Sequence, residues 1–149
     1  MNRLFSALAA LAISAALLVL LPETKQGRLV AHANDRCSTA TLVGNYGFAF
    51  SGFQKQHNKS VPFYGAGIAN FDGAGNVSAT FADSIDGDSS TGNPYTASYT
   101  VNSDCSVSLT ATPGSGGDNA VGAIVGDGAE VLATDISSPD TLNLELKRQ

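Results

Sequence analysis

A two-residue alternation of apolar with small or polar side chains constrains the fold of this chain most strongly. In the segment 45–53, aromatic residues stand at every second position from Tyr46 through Phe48 to Phe50. Successive side chains of a β-strand point to opposite faces, so this segment places its aromatic rings on one face. Gly, Asn, Asp, Ser and Thr residues separate similar segments at intervals of roughly 8–12 residues, which predicts an all-β fold.

The alternation predicts about eight strands, each bounded by turn-forming residues. The strands are expected at residues 45–53, 62–71, 77–85, 95–101, 105–112, 119–125, 129–136 and 141–147, with a polar loop at 86–94 and a single helical turn at 38–44. Because the connections are short, we expect neighbouring strands to be antiparallel.

An open sheet of these strands would have two unpaired edges and an uncovered apolar face. Closing the sheet on itself removes both, so we predict a small up-and-down antiparallel barrel. The alternative is a β-sandwich, which usually needs the long Greek-key connections that this sequence lacks. Gly65 and Gly67 in the second predicted strand indicate a sharp bend or a close backbone contact there.

The segment 1–33 has the layout of a signal peptide. Arg3 precedes an uncharged, mainly apolar run at 4–21, and the segment ends in the small-x-small sequence at 31–33, Ala-His-Ala. We therefore predict a signal peptide with a helical apolar region at 1–33, a single barrel domain at 34–149, and a secreted or periplasmic location. The alternative is a retained membrane anchor, because the run lies at the short end of the ~17–25 residues that span a bilayer.

The net charge limits the classes of partner that this protein can bind, and the two cysteines indicate a disulfide. The chain has a formal net charge of −5. An acidic protein repels phosphate backbones and anionic lipid headgroups, so we expect no nucleic-acid partner and, after signal cleavage, no membrane partner. The only cysteines are Cys37 and Cys105. In an exported chain this pair favours an internal disulfide over free thiols or a bridge between two chains.

Four short segments of the mature chain resemble a family of small exported bacterial proteins with no assigned function. They are Cys-Ser-Thr-Ala-Thr-Leu-Val-Gly-Asn-Tyr-Gly-Phe at 37–48, Phe-Asp-Gly-Ala-Gly-Asn at 71–76, Tyr-Thr-Val-Asn-Ser-Asp-Cys at 99–105 and Lys-Arg-Gln at 147–149. The resemblance implies a bacterial source and pairing of the two cysteines, but it supplies no activity, substrate or catalytic residue. A looser likeness to lipocalin-type and allene-oxide-cyclase-type barrels rests on architecture, which does not determine function.

Aromatic residues on the predicted strand faces are the candidate ligand-binding residues. A small eight-stranded barrel is either filled by its inward side chains or wide enough to hold one small ligand. The candidates for lining such a cavity are Tyr46, Phe48, Phe50, Phe63, Phe81, Tyr95 and Tyr99. The alternative is that these rings fill the core.

Residues with the chemistry for catalysis or metal binding are few and scattered. His57 is the only histidine after the predicted signal peptide, whereas a zinc site needs three or four ligands. Asp83, Asp86 and Asp88 could supply oxygen ligands for calcium, but the full EF-hand loop and its bidentate Glu are missing. We therefore predict no metal and no cofactor, and we assign no catalytic residue.

These observations favour an exported barrel that binds a small apolar ligand or a surface partner. The first alternative is a barrel enzyme of the isomerase or cyclase type, in which a shaped cavity and few polar groups suffice. The second is a purely structural exported protein with a filled core. The sequence leaves the oligomeric state open.

Overall fold

The strands of this protein form a closed antiparallel barrel in which each strand pairs with its neighbours in the sequence. The computed structural model describes residues 37–115, 117–137 and 139–149. These residues contain β1 (Val43–Gln56), β2 (Lys59–Asp72), β3 (Asn76–Ile85), β4 (Asp88–Val101), β5 (Ser106–Ala111), β6 (Ala120–Val125), β7 (Glu130–Asp135) and β8 (Thr141–Arg148). β1 also pairs with β8, from Tyr46 opposite Arg148 to Phe53 opposite Thr141, and this pairing closes the barrel. The predicted up-and-down barrel is confirmed, and the β-sandwich alternative is wrong.

The alternation in the sequence corresponds to the inward and outward faces of the barrel. In β1, Tyr46 is fully buried and Phe48 and Phe50 are partly buried, whereas Ala49 and Ser51 are exposed. The buried core comprises Leu42, Tyr46, Ala69, Phe71, Val77, Ala97, Tyr99, Val107, Leu109, Ala120, Ile124, Val131 and Leu146. The signal peptide predicted at 1–33 lies outside the described residues. Among the residues that are described, we find no helix with the length and apolarity of a membrane span.

Two glycines let β2 approach β3 closely. A Cβ atom at Gly65 would collide with the backbone oxygen of Ala82, and one at Gly67 would collide with that of Thr80. Both oxygens belong to β3, the next strand of the barrel. The close backbone contact that the sequence predicts is therefore confirmed, and a residue with a side chain would not fit there.

The β3–β4 hairpin corrects one sequence-based prediction. Only Asp86 and Gly87 lie between the two strands, and both have positive φ angles, of 52° and 95°, as in a type I′ turn. The polar loop expected at 86–94 is therefore wrong, because residues 88–94 belong to β4. The first five residues of β4 are all exposed, so this part of the hairpin has no buried face and no apolar alternation to reveal it.

The barrel has two unlike ends. The closed end is where β1 begins, beside a 3₁₀ turn at Thr39–Thr41. This turn lies within the predicted helical segment 38–44 but is shorter, since the chain already enters β1 at Val43. The mouth is where β1 ends and β2 begins. β1 to β4 contain 14, 14, 10 and 14 residues, whereas β5 to β8 contain 6, 6, 6 and 8, so the wall is taller on one side.

A disulfide anchors the residues that precede the 3₁₀ turn. Cys37 is bonded to Cys105, which lies in the connection between β4 and β5. The two Cα atoms are 5.0 Å apart, although the residues are separated by 68 positions in the sequence. The predicted internal disulfide is confirmed, and it ties the chain entering the barrel to the closed end.

Candidate binding cavity

An open cavity of about 360 Å³ extends from the mouth into the barrel and ends against Phe71 and Leu146 of the buried core. This volume is at the small end of the ~300–1,000 Å³ that is typical of small-molecule sites. Most of the lining is apolar, and the polar lining residues are Gln54, Asp83, Asp118, Asn119, Asp135 and Asp140. The antiparallel topology explains why these polar residues meet, because each lies near the mouth end of its strand or in a connection at that end.

Phenylalanine rings of β1, β2 and β3 form an aromatic wall of the cavity. The ring centroid of Phe50 is 5.0 Å from that of Phe63, 5.8 Å from that of Phe81 and 6.4 Å from that of Phe48. The first two contacts are edge-to-face, a favourable geometry for aromatic pairs. All four rings stay only partly buried although they line the inside of the barrel. They therefore leave apolar surface that a ligand would cover.

Glycines opposite the rings help to keep the centre of the barrel free. Gly65 lies directly opposite Phe50 in the β1–β2 register, and Gly67 lies opposite Phe48. A Cβ atom at Gly65 would approach Cε1 of Phe50 to 2.8 Å, so the ring rests on the backbone of β2. Rings that rest on backbone occupy the wall rather than the lumen.

Three carboxylates and one phenol are electrostatically coupled at the mouth. Burial raises the pKa of Asp118, and the nearby carboxylates of Asp135 and Asp140 raise it further. Burial also raises the pKa of Tyr95 to about 12, with added contributions from Asp118 and Asp135. The Tyr95 hydroxyl donates a hydrogen bond of 3.1 Å to the backbone oxygen of Asp118. The Tyr95 phenol thus stays protonated, and its proton is already used in this hydrogen bond.

Some of the acceptor oxygens at the mouth have a hydrogen-bond donor and others do not. One carboxylate oxygen of Asp135 accepts from the Ser137 amide at 2.6 Å, and one of Asp140 accepts from the Lys55 amide at 3.0 Å. In contrast, Asp135 Oδ2 and Gln54 Oε1 are buried oxygen atoms without a hydrogen-bond partner among the described residues. Both residues line the cavity, and these two oxygens are buried in its wall without a donor from the described part of the chain.

The cavity brings together Phe48, Phe50, Phe63, Phe81 and Tyr95 from the predicted set of lining residues. Tyr46 and Tyr99 do not line it and belong to the closed end instead. Their rings flank Phe71, each at a centroid distance of 5.1 Å, and all three are at most 3% exposed.

Hydrogen bonds hold these two tyrosines in place at the closed end. The Tyr46 hydroxyl donates to the Gly128 carbonyl at 2.6 Å, and that of Tyr99 donates to the Leu42 carbonyl at 2.8 Å. Burial raises the pKa of Tyr99. These hydroxyls complete the closed end and face backbone partners, so they are not available to a ligand.

The residues considered for metal binding are spread over the hairpin tips. His57 lies in the β1–β2 turn, and Asp86 and Asp88 lie at the β3–β4 turn, all exposed. Asp83 lines the cavity, and its carboxylate accepts a hydrogen bond from the Ser90 hydroxyl. Across the part of the chain that the structure describes, no three His, Cys, Asp or Glu residues are grouped in a way that could hold a metal ion.

The polar residues of the mouth are the main part of the cavity that the sequence analysis missed. A signal for two of them was present, because Asp83 continues the inward series of Phe81, and Gln54 continues that of Phe50, at two-residue spacing. A polar residue in an inward position near a strand end indicates a place where the core is open. Asp118 and Asp140 lie in connections, where periodicity gives no such signal.

Comparison of the chain with protein-family models gives no match, and comparison with curated proteins gives none either.

Proposed function

We propose that this protein is an exported binding barrel that holds one small, mainly apolar molecule in the cavity at its mouth. The aromatic wall carries this proposal. Phe48, Phe50, Phe63 and Phe81 line a cavity of about 360 Å³ while remaining only partly buried. A filled core, as in a purely structural barrel, would bury such rings as completely as the closed end buries Phe71, which is 1% exposed. Covering apolar surface is favourable at about 25 cal/mol per Å².

Binding of a neutral fluorescent probe tests this proposal directly. We expect N-phenyl-1-naphthylamine to bind with a single site and with increased fluorescence. The variant Ala79→Phe should weaken binding at least about tenfold, because a new phenyl group would occupy the space of the probe. Ala79 lines the cavity, opposite Ala69 in β2 and Tyr95 in β4.

The matched control is Ala82→Phe, which adds the same group to the exposed face of the same strand. This variant should bind the probe like the unmodified protein. Equal binding by both variants would place the probe outside the barrel and contradict the proposal. Native mass spectrometry of protein purified from its own host should then identify the natural ligand class by a co-purifying small molecule.

A second candidate function is an isomerase- or cyclase-type reaction in the same cavity. The observation that favours it is the raised pKa of Asp118, since carboxyl groups with raised pKa values serve as general acids or bases. The test is to incubate the co-purified molecule with fresh protein and follow its chromatographic and mass-spectrometric signature. Conversion that is lost in Asp118→Asn would indicate an enzyme, whereas an unchanged molecule would indicate a carrier.

Export is part of the proposal and has its own test. The disulfide between Cys37 and Cys105 is compatible with an oxidising compartment outside the cytoplasm. N-terminal sequencing of the protein recovered from its host should begin at Asn34, just after the predicted cleavage sequence. A sequence that begins before the apolar run 4–21 would instead indicate a retained anchor.

A further inference from the structure

We infer that the ligand of this cavity is an organic cation, with an apolar ring system against the phenylalanine wall and an ammonium group at the mouth. This inference rests on the proposed function and specifies its ligand class. The cavity defines the site, and its polarity is graded along the barrel axis. Its aromatic residues come from the inner part of β1 to β3, whereas carboxylates from β3, β7 and two connections gather at its opening.

The described charged residues that line the cavity are all acidic, although Lys55 and Lys59 lie in the β1–β2 hairpin at the same end of the barrel. The cavity lining includes Asp83, Asp118, Asp135 and Asp140, and none of the described lining residues is Lys, Arg or His. The ion pairs within 4.0 Å that the described residues form both involve Lys147, which is located at the closed end of β8. The mouth carboxylates are therefore left without a cationic partner from the described part of this chain.

The wall of the mouth supplies acceptors and few donors. Asp135 Oδ2 and Gln54 Oε1 are buried acceptors with no donor among the residues of the structure. A primary ammonium group supplies three N–H donors, no acceptor and a positive charge, so it complements the carboxylates that line the opening. The Tyr95 ring, which also lines the cavity, adds a surface that attracts cations through its π electrons.

An inorganic cation fits this site less well than an organic one. The described carboxylates do not form a group of three that could hold a metal ion, and the aromatic wall offers a metal no ligand. An anionic or neutral apolar molecule would use the wall but would leave the mouth carboxylates without an opposite charge. A molecule with both an apolar ring and an ammonium group uses both parts of the cavity.

Three probes with the same ring system test the inference: 2-naphthylmethylamine, which is cationic at neutral pH, 2-naphthylmethanol, which is neutral, and 2-naphthoate, which is anionic. Isothermal titration calorimetry at low ionic strength compares them. We expect the amine to bind about tenfold or more tightly than the alcohol, since hydrogen bonds to charged groups are stronger than neutral ones. We expect the naphthoate to bind most weakly, and added salt to weaken only the amine.

The outcomes separate this inference from the proposed function. If the alcohol binds as tightly as the amine, the cavity is a binding site but the charge inference is wrong. If none of the three probes binds, the proposed binding function itself is contradicted. If calcium ions alone bind and displace the amine without affecting the alcohol, the mouth is an inorganic cation site and the inference is also wrong.

Isosteric variants locate the preference at the mouth. The double variant Asp118→Asn and Asp135→Asn removes two charges while keeping the shape of the cavity, so it should lose the preference for the amine and still bind the alcohol. The matched control is Asp127→Asn, in the exposed β6–β7 turn at the closed end, which should keep the preference. An unchanged preference in the double variant would overturn the inference, because the attraction would then arise elsewhere.

Discussion

The two ends of the barrel are formed by the same strands, yet they place aromatic and polar groups in opposite ways. At the closed end, Tyr46, Phe71 and Tyr99 are at most 3% exposed. Each of the two tyrosine hydroxyls there donates to a backbone carbonyl. At the mouth, the phenylalanine rings are partly exposed inside the cavity, and Asp135 and Gln54 have buried oxygens without partners in the described structure.

This difference separates what stabilises the fold from what would recognise a ligand. Buried polar groups stabilise a protein only when they are hydrogen-bonded, and the closed end meets that condition. At the mouth, apolar surface stays exposed and some acceptors of the described residues have no hydrogen bond. The mouth therefore contributes less than the closed end to the free energy of unfolding. Substitutions at the closed end should therefore act mainly on unfolding, and substitutions at the mouth mainly on binding.

The largest expected effect comes from removing a ring at each end. Phe71→Ala should lower the free energy of unfolding by about 3–5 kcal/mol, because this ring is 1% exposed and packs between two buried tyrosine rings, although one edge of it reaches the inner end of the cavity. Phe63→Ala should cost only about 1–2 kcal/mol, since this ring is partly buried and already borders open space. Urea unfolding measures both. Equal losses would mean that the two ends are packed alike and would contradict the comparison.

The disulfide gives the next largest effect and lies at the closed end alone. Replacing Cys37 and Cys105 together by Ser should destabilise the protein by about 2–4 kcal/mol, chiefly because the unfolded chain gains freedom. Thermal unfolding measures the loss. Under conditions where the variant remains folded, its affinity for N-phenyl-1-naphthylamine should be unchanged. A variant of normal stability but altered affinity would reverse the roles assigned to the two ends.

Matched removals of tyrosine hydroxyls sharpen the comparison. Tyr46 donates to the Gly128 carbonyl and accepts from the Arg148 guanidinium at 2.9 and 3.1 Å. Tyr46→Phe removes the partner of the Gly128 carbonyl and of Arg148 Nε, whereas Arg148 Nη2 keeps its bond to the Thr41 carbonyl, so it should cost about 1–3 kcal/mol. Tyr95→Phe removes a single partly buried bond and should cost about 0.5–1.5 kcal/mol. Chemical denaturation distinguishes the two, and a larger loss for Tyr95→Phe would show that the mouth is the more tightly bonded end.

The strands and their inward faces could be predicted because each depends on local alternation. The sequence predicted the barrel, the close contact at Gly65 and Gly67, and the internal disulfide. It missed residues 88–94 of β4, because a strand exposed on both faces carries no alternation.

The division of the aromatic residues between the two ends could not be predicted from periodicity. Tyr46, Phe71 and Tyr99 come from three different strands, and their contact depends on the register in which β1 to β4 pair. Likewise, Asp118 and Asp135 approach each other only because β6 and β7 pair and return the chain to the same end. Inward-facing aromatic residues can be recognised from sequence, but whether they fill or line the barrel is decided by these nonlocal contacts.

The smallest expected effect is a pH dependence of opposite sign at the two ends. Hydrogen bonds from Asn76, first its side chain and then its backbone amide, together with the Ala74 amide, hold the pKa of Asp72 at about 2, below its usual value of 3.8. Asp72 is the last residue of β2 and adjoins the β2–β3 turn at the closed end. Between pH 3.8 and about 2, Asp72 is protonated in the unfolded chain before it is protonated in the folded protein. The contribution of Asp72 to the free energy of unfolding is therefore present above pH 3.8 and is lost as the pH falls toward 2.

At the mouth, Asp118 should act in the opposite sense. Its pKa is raised by burial and by Asp135 and Asp140, so the folded protein binds this proton more readily than the unfolded chain does. Ionisation of Asp118 therefore lowers stability as the pH rises through its raised pKa.

Asp118→Asn should increase the melting temperature at neutral pH by about 2–4 °C, a small gain because the carboxylates are partly hydrated. Melting curves from about pH 2 to about pH 7 should show Asp72→Asn flattening the acid limb and Asp118→Asn removing the opposing trend. If both variants shift stability in the same direction, the carboxylates of the mouth do not repel one another, and the case for a cationic ligand loses its electrostatic support.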